Sequence, residues 1–458
     1  MSNESTGSLP TARSGAARRR AHLLREFVIA AVVLVVFTVF KLWFEGTEAG
    51  HWLHAQSHVW LQSKVKRDSD ADIPVVVVDI SRLKPVEYAV TWTNPPNGSV
   101  THAVEHFTSR EALSNLVVRI ANVSPVAIGV DVDLSFEPEL IPGPELLGAS
   151  TNLFETALAL GASNSTPSVP VFLGIKRTEG LPPEHWLLNK RYIPLAASLA
   201  RPVGEVHHMP SEFQFPGHLH VLPGLARALV PTNVNLKPSP VWLRHFTKRI
   251  STVTPLEDAP NFKFTKYPVD YTALDNFVRN RVMHDLILNA TAMSQVELLK
   301  TFGGKIVILG DATLERGADT AIVAFKPEPV PGVYVHASAA NTLLQSPLWE
   351  LKTWVGLLLA FIGSMSSLYL IYSVCTRYAE KHHVTTVPLT ILLTFVLIAF
   401  FVLVAVALAR WFHVLWLEMI AVCIVLLLDC LFDVLFGTVS WKHLRKDPLK
   451  SVVVSDHE

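Results

Sequence analysis

The sequence predicts an α/β extracytoplasmic domain with a mainly parallel sheet, joined to an all-α membrane part of four transmembrane helices. Three observations lead to this prediction. The 458-residue chain is 50% hydrophobic and 17% charged, a balance between those of soluble and of membrane proteins. Apolar runs long enough to span a bilayer lie near both ends of the chain. Between them, apolar runs typical of buried strands alternate with helical patterns.

The first membrane span is predicted over residues 27–44, after the basic cytoplasmic N-terminus of residues 1–26. Its roughly eighteen residues reach about 27 Å, which is just enough to cross a bilayer core. A cleaved signal peptide has a similar basic start and apolar middle. The length of the run, the interfacial residues Lys41, Leu42 and Trp43, and the lack of a clear A-x-A site favour the span. In both cases the residues that follow are exported.

Three more spans are predicted over residues 352–375, 387–409 and 414–436. Basic residues concentrate in the loop after the first of these spans and in the tail of residues 437–458, whereas the turn between the last two spans carries only Arg410. The positive-inside rule therefore places both termini in the cytoplasm and residues 45–350 beyond the inner (plasma) membrane. The lipid bilayer is the first predicted partner.

Charge and cysteine content exclude several classes of function. The formal net charge is zero and no basic face is clustered in the middle region, so nucleic acid is not a predicted partner. Cys375, Cys423 and Cys430 all lie in or beside the C-terminal apolar runs, so the middle region can form no disulfide. No catalytic motif is present, and we predict no catalytic residue, no bound metal and no cofactor.

The exported region opens with a βαβ unit. Residues 73–80 form a continuous apolar run that predicts a buried strand ending at Asp79. TSREALSNLVVRIANV follows, with Ser109 and Glu111 as cap-type residues and apolar residues at helical spacing. SPVAIGVDVDLSF then predicts a second buried strand. A crossover helix between two strands requires that the strands are parallel.

The pattern continues toward the membrane. LFETALALGA predicts a helix, residues 169–175 a third strand, residues 306–309 a fourth, and PGVYVHASAANTLLQ a final helix that leads directly into the second span. Between Pro182 and Asn289 proline-rich segments weaken the pattern, although RPVGEVHHM and FKFTKY fit edge or antiparallel strands. The glycines beside the fourth strand match neither spacing of a phosphate-binding loop, so nucleotide binding there is not predicted.

With these motifs in hand, the chain resembles a CHASE-type sensory domain of the second type, the cyclase and histidine-kinase associated sensory extracellular domain. The resemblance rests on VVVVDI, VAIGVDVDLSFEP, FGGKIVILGDAT and PGVYVHASAANTLL, and it covers residues 73–344 and the four spans. The Trp-Pro-rich turn of the family is replaced here by THAVEHFTSRE, although Arg110 lies where the family's arginine usually falls.

The resemblance implies a receptor-like sensor of the bacterial inner membrane. Family receptors usually continue into a cytoplasmic kinase or cyclase, whereas only the short tail of residues 437–458 follows the last span here. The expectation is a stand-alone form that binds an unknown extracytoplasmic ligand and passes the signal in trans to a protein partner, such as a kinase, a cyclase or another membrane protein.

Polar residues at the carboxyl ends of the predicted strands are the candidate ligand-binding residues, because ligands of parallel sheets bind where these ends converge. They predict an acidic pocket for a cationic or hydroxyl-rich ligand, with calcium or magnesium as the metals that carboxylates favour if one takes part. The alternative is that the acids cap helices and pair with arginines to hold loops. The candidates are Asp79, Arg110, Asp131, Asp133, Asp311, Arg316 and Asp319.

The predicted last span carries Glu418, Asp429 and Asp433 on one side of its helix. Acids at this depth are costly, so they predict membrane coupling or partner binding. The alternative is internal pairing, for example of Glu418 with Lys41.

A ridge of small residues marks the second span and predicts close helix packing, within the monomer or between the copies of a homodimer. The ridge is formed by Gly356, Ala360 and Ser364. His336, in the final helix, is interpreted as structural, with pH sensing as the alternative.

Three functional hypotheses remain. The first is the sensor described above. The second is a structural or accessory membrane subunit that binds another protein through the exported domain and the acidic last span. The third, least favoured, is an extracytoplasmic metal-assisted enzyme using Asp131 and Asp133, two acids that point the same way in a strand.

Overall fold

The computed structural model describes two compact units of the chain. The sheet unit comprises His58–Leu351 with Ala407–Leu415, and the helical unit comprises Met1–Ser57, Lys352–Val406 and Trp416–Glu458. Within these units the described residues are 47, 56–58, 60–65, 73–94, 99–136, 139–162, 168–175, 195–197, 208–214, 221–231, 245–248, 263–289, 291–314, 320–321, 323, 326, 328–345, 348–382 and 387–436. The predicted first span and the C-terminal tail lie outside them.

Strands and helices alternate through the sheet unit. The strands are β1 (Val75–Asp79), β2 (Pro85–Asn94), β3 (Ser99–Thr108), β4 (Ala127–Asp131), β5 (Leu140–Pro142), β6 (Val171–Ile175), β7 (Leu195–Ala197), β8 (His208–Gln214), β9 (Val221–Pro223), β10 (Thr247–Lys248), β11 (Lys263–Pro268), β12 (Val282–Met283), β13 (Ile306–Gly310), β14 (Thr320–Ala321), β15 (Val330–Pro331), β16 (Trp349–Leu351) and β17 (Val414–Leu415). The helices are α1 (Arg110–Ala121), α2 (Pro144–Gly161), α3 (Leu225–Leu229), α4 (Leu274–Arg279), α5 (His284–Leu288), α6 (Gln295–Phe302), α7 (Gly332–Leu344), α8 (Thr353–His382), α9 (Val387–Phe412) and α10 (Met419–Phe436).

A six-stranded sheet lies at the centre of the sheet unit, with the order β12-β1-β13-β4-β6-β7. Every neighbouring pair in it is parallel, which confirms the predicted α/β class with a mainly parallel sheet. The central strand β13 is continuously buried because helices cover both faces. Successive side chains of a strand point to opposite faces, so Val307 and Leu309 join one apolar core while Ile306 and Ile308 join the other.

Helices α1, α2, α5 and α6 contribute to the first core, and α3, α4 and α7 contribute to the second. Helix α1 confirms the amphipathic prediction: the Ser109 side chain accepts a hydrogen bond from the Ala112 N–H at its N-terminus. Its side chains Leu113 and Leu116 are completely buried. Complete burial of one such leucine contributes about 1.5–3 kcal/mol, so the face of α1 toward the sheet holds the helix in place.

Helix α7 is buried on all sides from Gly332 to Leu343. It lies so close to the end of β13 that a Cβ atom at Gly310 would come within 2.7 Å of the side chain of Val333. Glycine at position 310 therefore permits the close approach of the helix to the sheet.

The long hairpin of β2 and β3 is absent from the sequence predictions. The two strands pair antiparallel along their whole length, and β5 joins the other edge of β2. Their alternation is hard to recognise because the outward face mixes valine with threonine and histidine. The inward face packs on a small separate core that contains Tyr88, Val90, Phe136, Leu140 and Leu146.

Two further strands agree with the sequence in part. FKFTKY was expected to form an edge or antiparallel strand, and β11 does pair antiparallel with β8, with an irregularity between Thr265 and Lys266. The RPVGEVHHM segment overlaps β8 only at its end, since β8 begins at His208.

The final helix α7 does not lead directly into the second span, which corrects that prediction. Strand β16 lies between α7 and α8, and it pairs antiparallel with β10 and parallel with β17. These short pairings satisfy backbone groups where the chain leaves the sheet unit.

The first residues of the sheet unit contact β16, the strand through which the chain leaves this unit. His58 is completely buried, and its Nε2 lies 3.5 Å from Oε1 of Glu350 in β16. The Gln62 amide lies 2.9 Å from His58 Nδ1 and also donates a hydrogen bond to the backbone oxygen of Val269. A carbonyl can only accept, so the Gln62 NH₂ group faces both partners and Nδ1 of His58 is an acceptor.

The helical unit contains long apolar helices. Segments Trp354–Cys375 of α8 and Val387–Phe412 of α9 are long and apolar enough to cross a membrane. Helix α10 offers a shorter apolar segment, Val422–Leu431. Two membrane-capable helices are thus found among the described residues, and the count of four spans stays a prediction.

Candidate functional site

Two carboxylates flank the central strand at the carboxyl edge of the sheet. The strand register pairs Gly310 with Asp79 of β1 on one side and with Asp131 of β4 on the other. The sequence predicted both acids at this edge, where the loops of a parallel sheet converge. The surroundings of each acid decide whether the edge is an open pocket or a closed network.

Asp79 is held inside a closed network. Its side chain is 1% exposed, and Oδ2 lies 3.3 Å from Nε of Arg281, which is itself partly exposed. Its Oδ1 accepts a hydrogen bond from the Ser81 N–H at 2.9 Å. Nδ1 of His284 lies 3.2 Å from the Asp79 backbone oxygen, and it must carry the hydrogen because a carbonyl only accepts. Asp79 therefore ties β1 to the segment that contains β12 and α5.

Tyr334 of α7 borders the same network. Burial raises the pKa of its hydroxyl above the ordinary value, the nearby Arg281 guanidinium opposes this shift, and the Asp79 carboxylate adds to it. The tyrosine thus remains a neutral hydroxyl at physiological pH, placed where helix α7 meets the edge of the sheet.

Asp131 contacts α7 from the other side of Gly310. Its Oδ1 lies 3.5 Å from Nε2 of His336, and the two side chains are 7% and 1% exposed. This contact was not foreseen, since His336 was interpreted as a structural residue of the final helix. The carboxyl edge therefore reaches α7 at two positions, Tyr334 and His336.

The next acids hold turns. Oδ1 of Asp133 accepts a hydrogen bond from the Ser135 N–H at 3.0 Å, and Oδ1 of Asp311 accepts one from the Thr313 N–H at 2.8 Å. Both are Asx turns, in which an aspartate carboxylate satisfies the backbone two residues on. Each of these two acids thus holds a turn in its own loop, and their role in ligand binding stays a prediction. Arg316 and Asp319 lie outside the described residues.

Arg110 begins α1 and is 2% exposed. Its Nη2 donates a long hydrogen bond of 3.5 Å to the Asp133 backbone oxygen. Burial lowers the pKa of the guanidinium to about 10, while the nearby Asp133 and Tyr88 oppose the shift. The side chain is therefore still a cation at neutral pH.

The described residues contain no group of three or more His, Cys, Asp or Glu side chains arranged to hold a metal ion. An open cleft of ≈ 590 Å³ lies elsewhere, along the amino-terminal half of β1, and it includes none of the predicted site residues. Its lining includes Val75, Phe277, Leu286, Met293, Lys300 and Lys305.

The sequence reasoning missed Arg281, His284 and Tyr334. The first two fall in or next to the short elements β12 and α5, within the region where proline-rich segments weaken the pattern. The only signal was their polar character beside short apolar runs, which does not identify a partner across the fold.

In the helical unit, the residues of the small-residue ridge, Gly356, Ala360 and Ser364, are all buried. A Cβ atom at Gly356 would collide with the carboxylate of Glu418, the residue just before α10. The ridge at Gly356 therefore packs within one chain. Asp429 is partly buried in α10, and the side chain of Asp433 lies outside the part of the chain that the structure describes.

The described residues combine a parallel α/β unit, whose polar edge is closed, with helices that are long and apolar enough to cross a membrane. No catalytic centre is evident among these residues. The family model of the CHASE2 domain matches residues 28–369, and the chain therefore belongs to the CHASE2 domain family. CHASE2 is a sensory domain of the extracellular type. Neither the curated proteins nor the solved structures gave a match to the chain.

Proposed function

We propose that this chain is an integral inner-membrane sensor. Residues 45–350 bind a signal outside the cytoplasm, and the membrane helices pass it to a protein partner in trans. The observation that carries this proposal is the CHASE2 match over residues 28–369, which includes the His58–Leu351 part of the sheet unit and the first half of α8, a membrane-capable helix. The proposed topology has four spans, with both termini in the cytoplasm.

Helix α7 is the element that we propose to carry the signal. It contacts the polar edge through His336 and borders it through Tyr334, and along the chain it is followed by β16 and then by α8. A ligand changes the position of α7 only if it binds two arrangements of the edge with different affinity. A difference of about 1–3 kcal/mol is enough for ordinary coupling.

The topology is tested with reporter fusions at Ser150 and Asp447. A reporter that is active only after export should work at Ser150 and fail at Asp447, and a cytoplasmic reporter should give the opposite result. Activity of the exported reporter at Asp447 would contradict the proposed cytoplasmic tail.

The output is tested by crosslinking the intact chain in membranes and identifying what it captures. Capture of a kinase or a cyclase supports signalling in trans. Capture of components of an assembly system alone contradicts it and supports the accessory-subunit alternative.

An enzymatic function is not proposed, because the family is a sensory one. The metal-assisted alternative depends on Asp131 and Asp133. It is rejected if any hydrolytic activity found in the purified chain survives replacement of both residues by alanine.

A further inference from the structure

Arg110 is a buried cation whose hydrogen-bonding capacity is largely unused. Only 2% of the residue is exposed, and its Nε and Nη1 atoms are buried with no hydrogen-bond partner. The one hydrogen bond of the side chain, from Nη2 to the Asp133 backbone oxygen, is 3.5 Å long. Buried donors in folded proteins are almost always satisfied, so an unsatisfied guanidinium requires an explanation.

The neighbouring carboxylates do not supply that explanation. Oδ1 of Asp133 accepts hydrogen bonds from the N–H and hydroxyl of Ser135, and the charge of Asp133 opposes the effect of burial on the Arg110 guanidinium without offsetting it. Asp131 contacts His336 instead. Leaving an ion buried without close compensation is strongly destabilising, because its desolvation is not repaid by a counter-charge.

The position of Arg110 also favours an anion. It is the first residue of α1, a 12-residue helix, and the N–H groups and dipole at a helix N-terminus attract negative charge. The guanidinium is the side chain best matched to the oxygens of carboxylates and phosphates. The residue also lies just beyond β3 and near the loop that follows β4, at the edge where parallel sheets bind ligands.

We propose that Arg110 anchors a binding site for a small oxyanion, the carboxylate or phosphate group of a ligand. The inference deepens the proposed sensor function, on which its biological meaning rests, and it replaces the cationic ligand expected from the acidic residues by an anionic one.

The free donors of Arg110 are buried, so a ligand reaches them only when a neighbouring segment moves, and we take the β2–β3 hairpin to be that segment. Tyr88 of β2 lies near enough to influence the pKa of Arg110. Tyr88 belongs to the small core under the hairpin, which is separate from the two cores of the central sheet. The hairpin can therefore shift while the central sheet stays packed.

The test measures binding of inorganic phosphate and of acetate to the full chain in lipid nanodiscs. Isothermal titration gives the dissociation constant, and thermal unfolding followed by tryptophan fluorescence gives the stabilisation, with sodium chloride at equal ionic strength as the reference. At least one of the two oxyanions should bind and raise the unfolding temperature of the wild-type chain. Phosphate acting alone identifies a phosphate-bearing ligand, and acetate acting alone a carboxylate.

Three variants make the test specific. Arg110→Gln and Arg110→Met should weaken binding at least tenfold, and Arg110→Lys should weaken it less because the charge is kept. Arg119→Gln is the matched control, since Arg119 lies on the same helix and donates to the Leu288 backbone oxygen instead. Binding to Arg119→Gln should equal that of the wild type.

The stability of Arg110→Met without added oxyanion gives an independent reading. If the buried charge awaits an anion, the unfolding temperature of this variant should equal or exceed that of the wild type. A marked loss of stability together with no oxyanion binding to the wild-type chain would show that Arg110 is purely structural and overturn the proposal.

Equal oxyanion binding by Arg110→Met and the wild type overturns the proposal as well, and so does an equal stabilisation of the wild type by chloride. These results are independent of the sensor function, which the crosslinking experiment tests: a kinase captured by a chain that binds no oxyanion would leave the sensor standing and remove only the anion site.

Discussion

Gly310 shows how a single residue controls the contact between the sheet and α7. A Cβ atom there would lie 2.7 Å from the Val333 side chain and 3.3 Å from Cβ of Asp131. Gly310→Ala should therefore lower the free energy of unfolding by about 1–3 kcal/mol, the usual cost of overpacking a core. The apparent midpoint of urea unfolding, followed by tryptophan fluorescence in detergent, measures the loss.

Gly148 provides the matched control for this change. It lies in α2, and a Cβ atom there would meet nothing within 4 Å. Gly148→Ala should be neutral or should stabilise the chain by up to about 1 kcal/mol, because alanine favours the helix. Equal effects of the two substitutions would contradict the close approach of α7.

Tyr271 allows a prediction about pH. Its hydroxyl is buried with no hydrogen-bond partner. Burial raises the pKa of this hydroxyl well above the ordinary value, and the nearby Tyr267 makes a smaller contribution in the same direction. Above about pH 10 the unfolded tyrosine loses its proton while the folded one keeps it, so the folded state loses stability as the pH rises.

Tyr271→Phe should lose less stability than the wild type between neutral pH and pH values above about 10. At neutral pH the two proteins should differ by about 1 kcal/mol or less, because the removed hydroxyl makes no hydrogen bond. Urea unfolding midpoints across this pH range measure both effects. An equal loss of stability at alkaline pH in the two proteins would contradict the raised pKa of Tyr271.

Sequence reasoning located part of the polar edge and not its partners. Asp79 and Asp131 end apolar runs, so their place at the carboxyl edge follows from the strand pattern. The partners Arg281 and Tyr334 come from distant parts of the chain, and only the folded path of these parts brings them to Asp79. The role of each side chain in binding stays a prediction.

At the scale of elements, the segment before β1 is fastened to the exit strand β16. Gln62→Leu should lower the free energy of unfolding by about 1–3 kcal/mol, since the Val269 carbonyl and His58 Nδ1 would lose their donor. Ser63→Ala is the control on the next residue. Its hydroxyl makes an exposed bond to Trp60, and its loss should stay within about 0.5 kcal/mol. Thermal unfolding of the detergent-solubilised chain distinguishes the two outcomes.

The elements that the sequence predicted well are those with one dominant period. The strands of the central sheet are continuous apolar runs, and α1 has a cap and a regular apolar stripe. The β2–β3 hairpin was missed because its outer face is neither clearly polar nor clearly apolar. It is the element that we propose to open over Arg110, so the segment that was hardest to predict from the sequence has a proposed function.

For the whole molecule, the first span is open to a direct test. If residues 27–44 are an anchor, the purified chain should keep its full mass of 50.6 kDa, and intact-mass spectrometry should detect the N-terminal residues. A shorter chain that begins after residue 44 would show a cleaved signal peptide and reduce the number of spans. The reporter at Ser150 should report export in both cases, which makes it the internal control.

The class of the fold was predictable at this scale, whereas the strand order was not. The local pattern shows that strands and helices alternate, which is enough to predict a parallel sheet. It does not show that β13, far along the chain, inserts between β1 and β4. Such an insertion depends on which apolar surfaces fit together once all the strands are present.

The place of β13 has a consequence for biosynthesis. The N-terminal half of the sheet unit leaves the ribosome with β1 and β4 made, but without the strand that separates them. Long-range parallel pairing is slow to form and exposes apolar strands in the meantime. A nascent chain arrested before Ile306 should therefore depend on a holding chaperone, and release of the remaining residues should end that dependence.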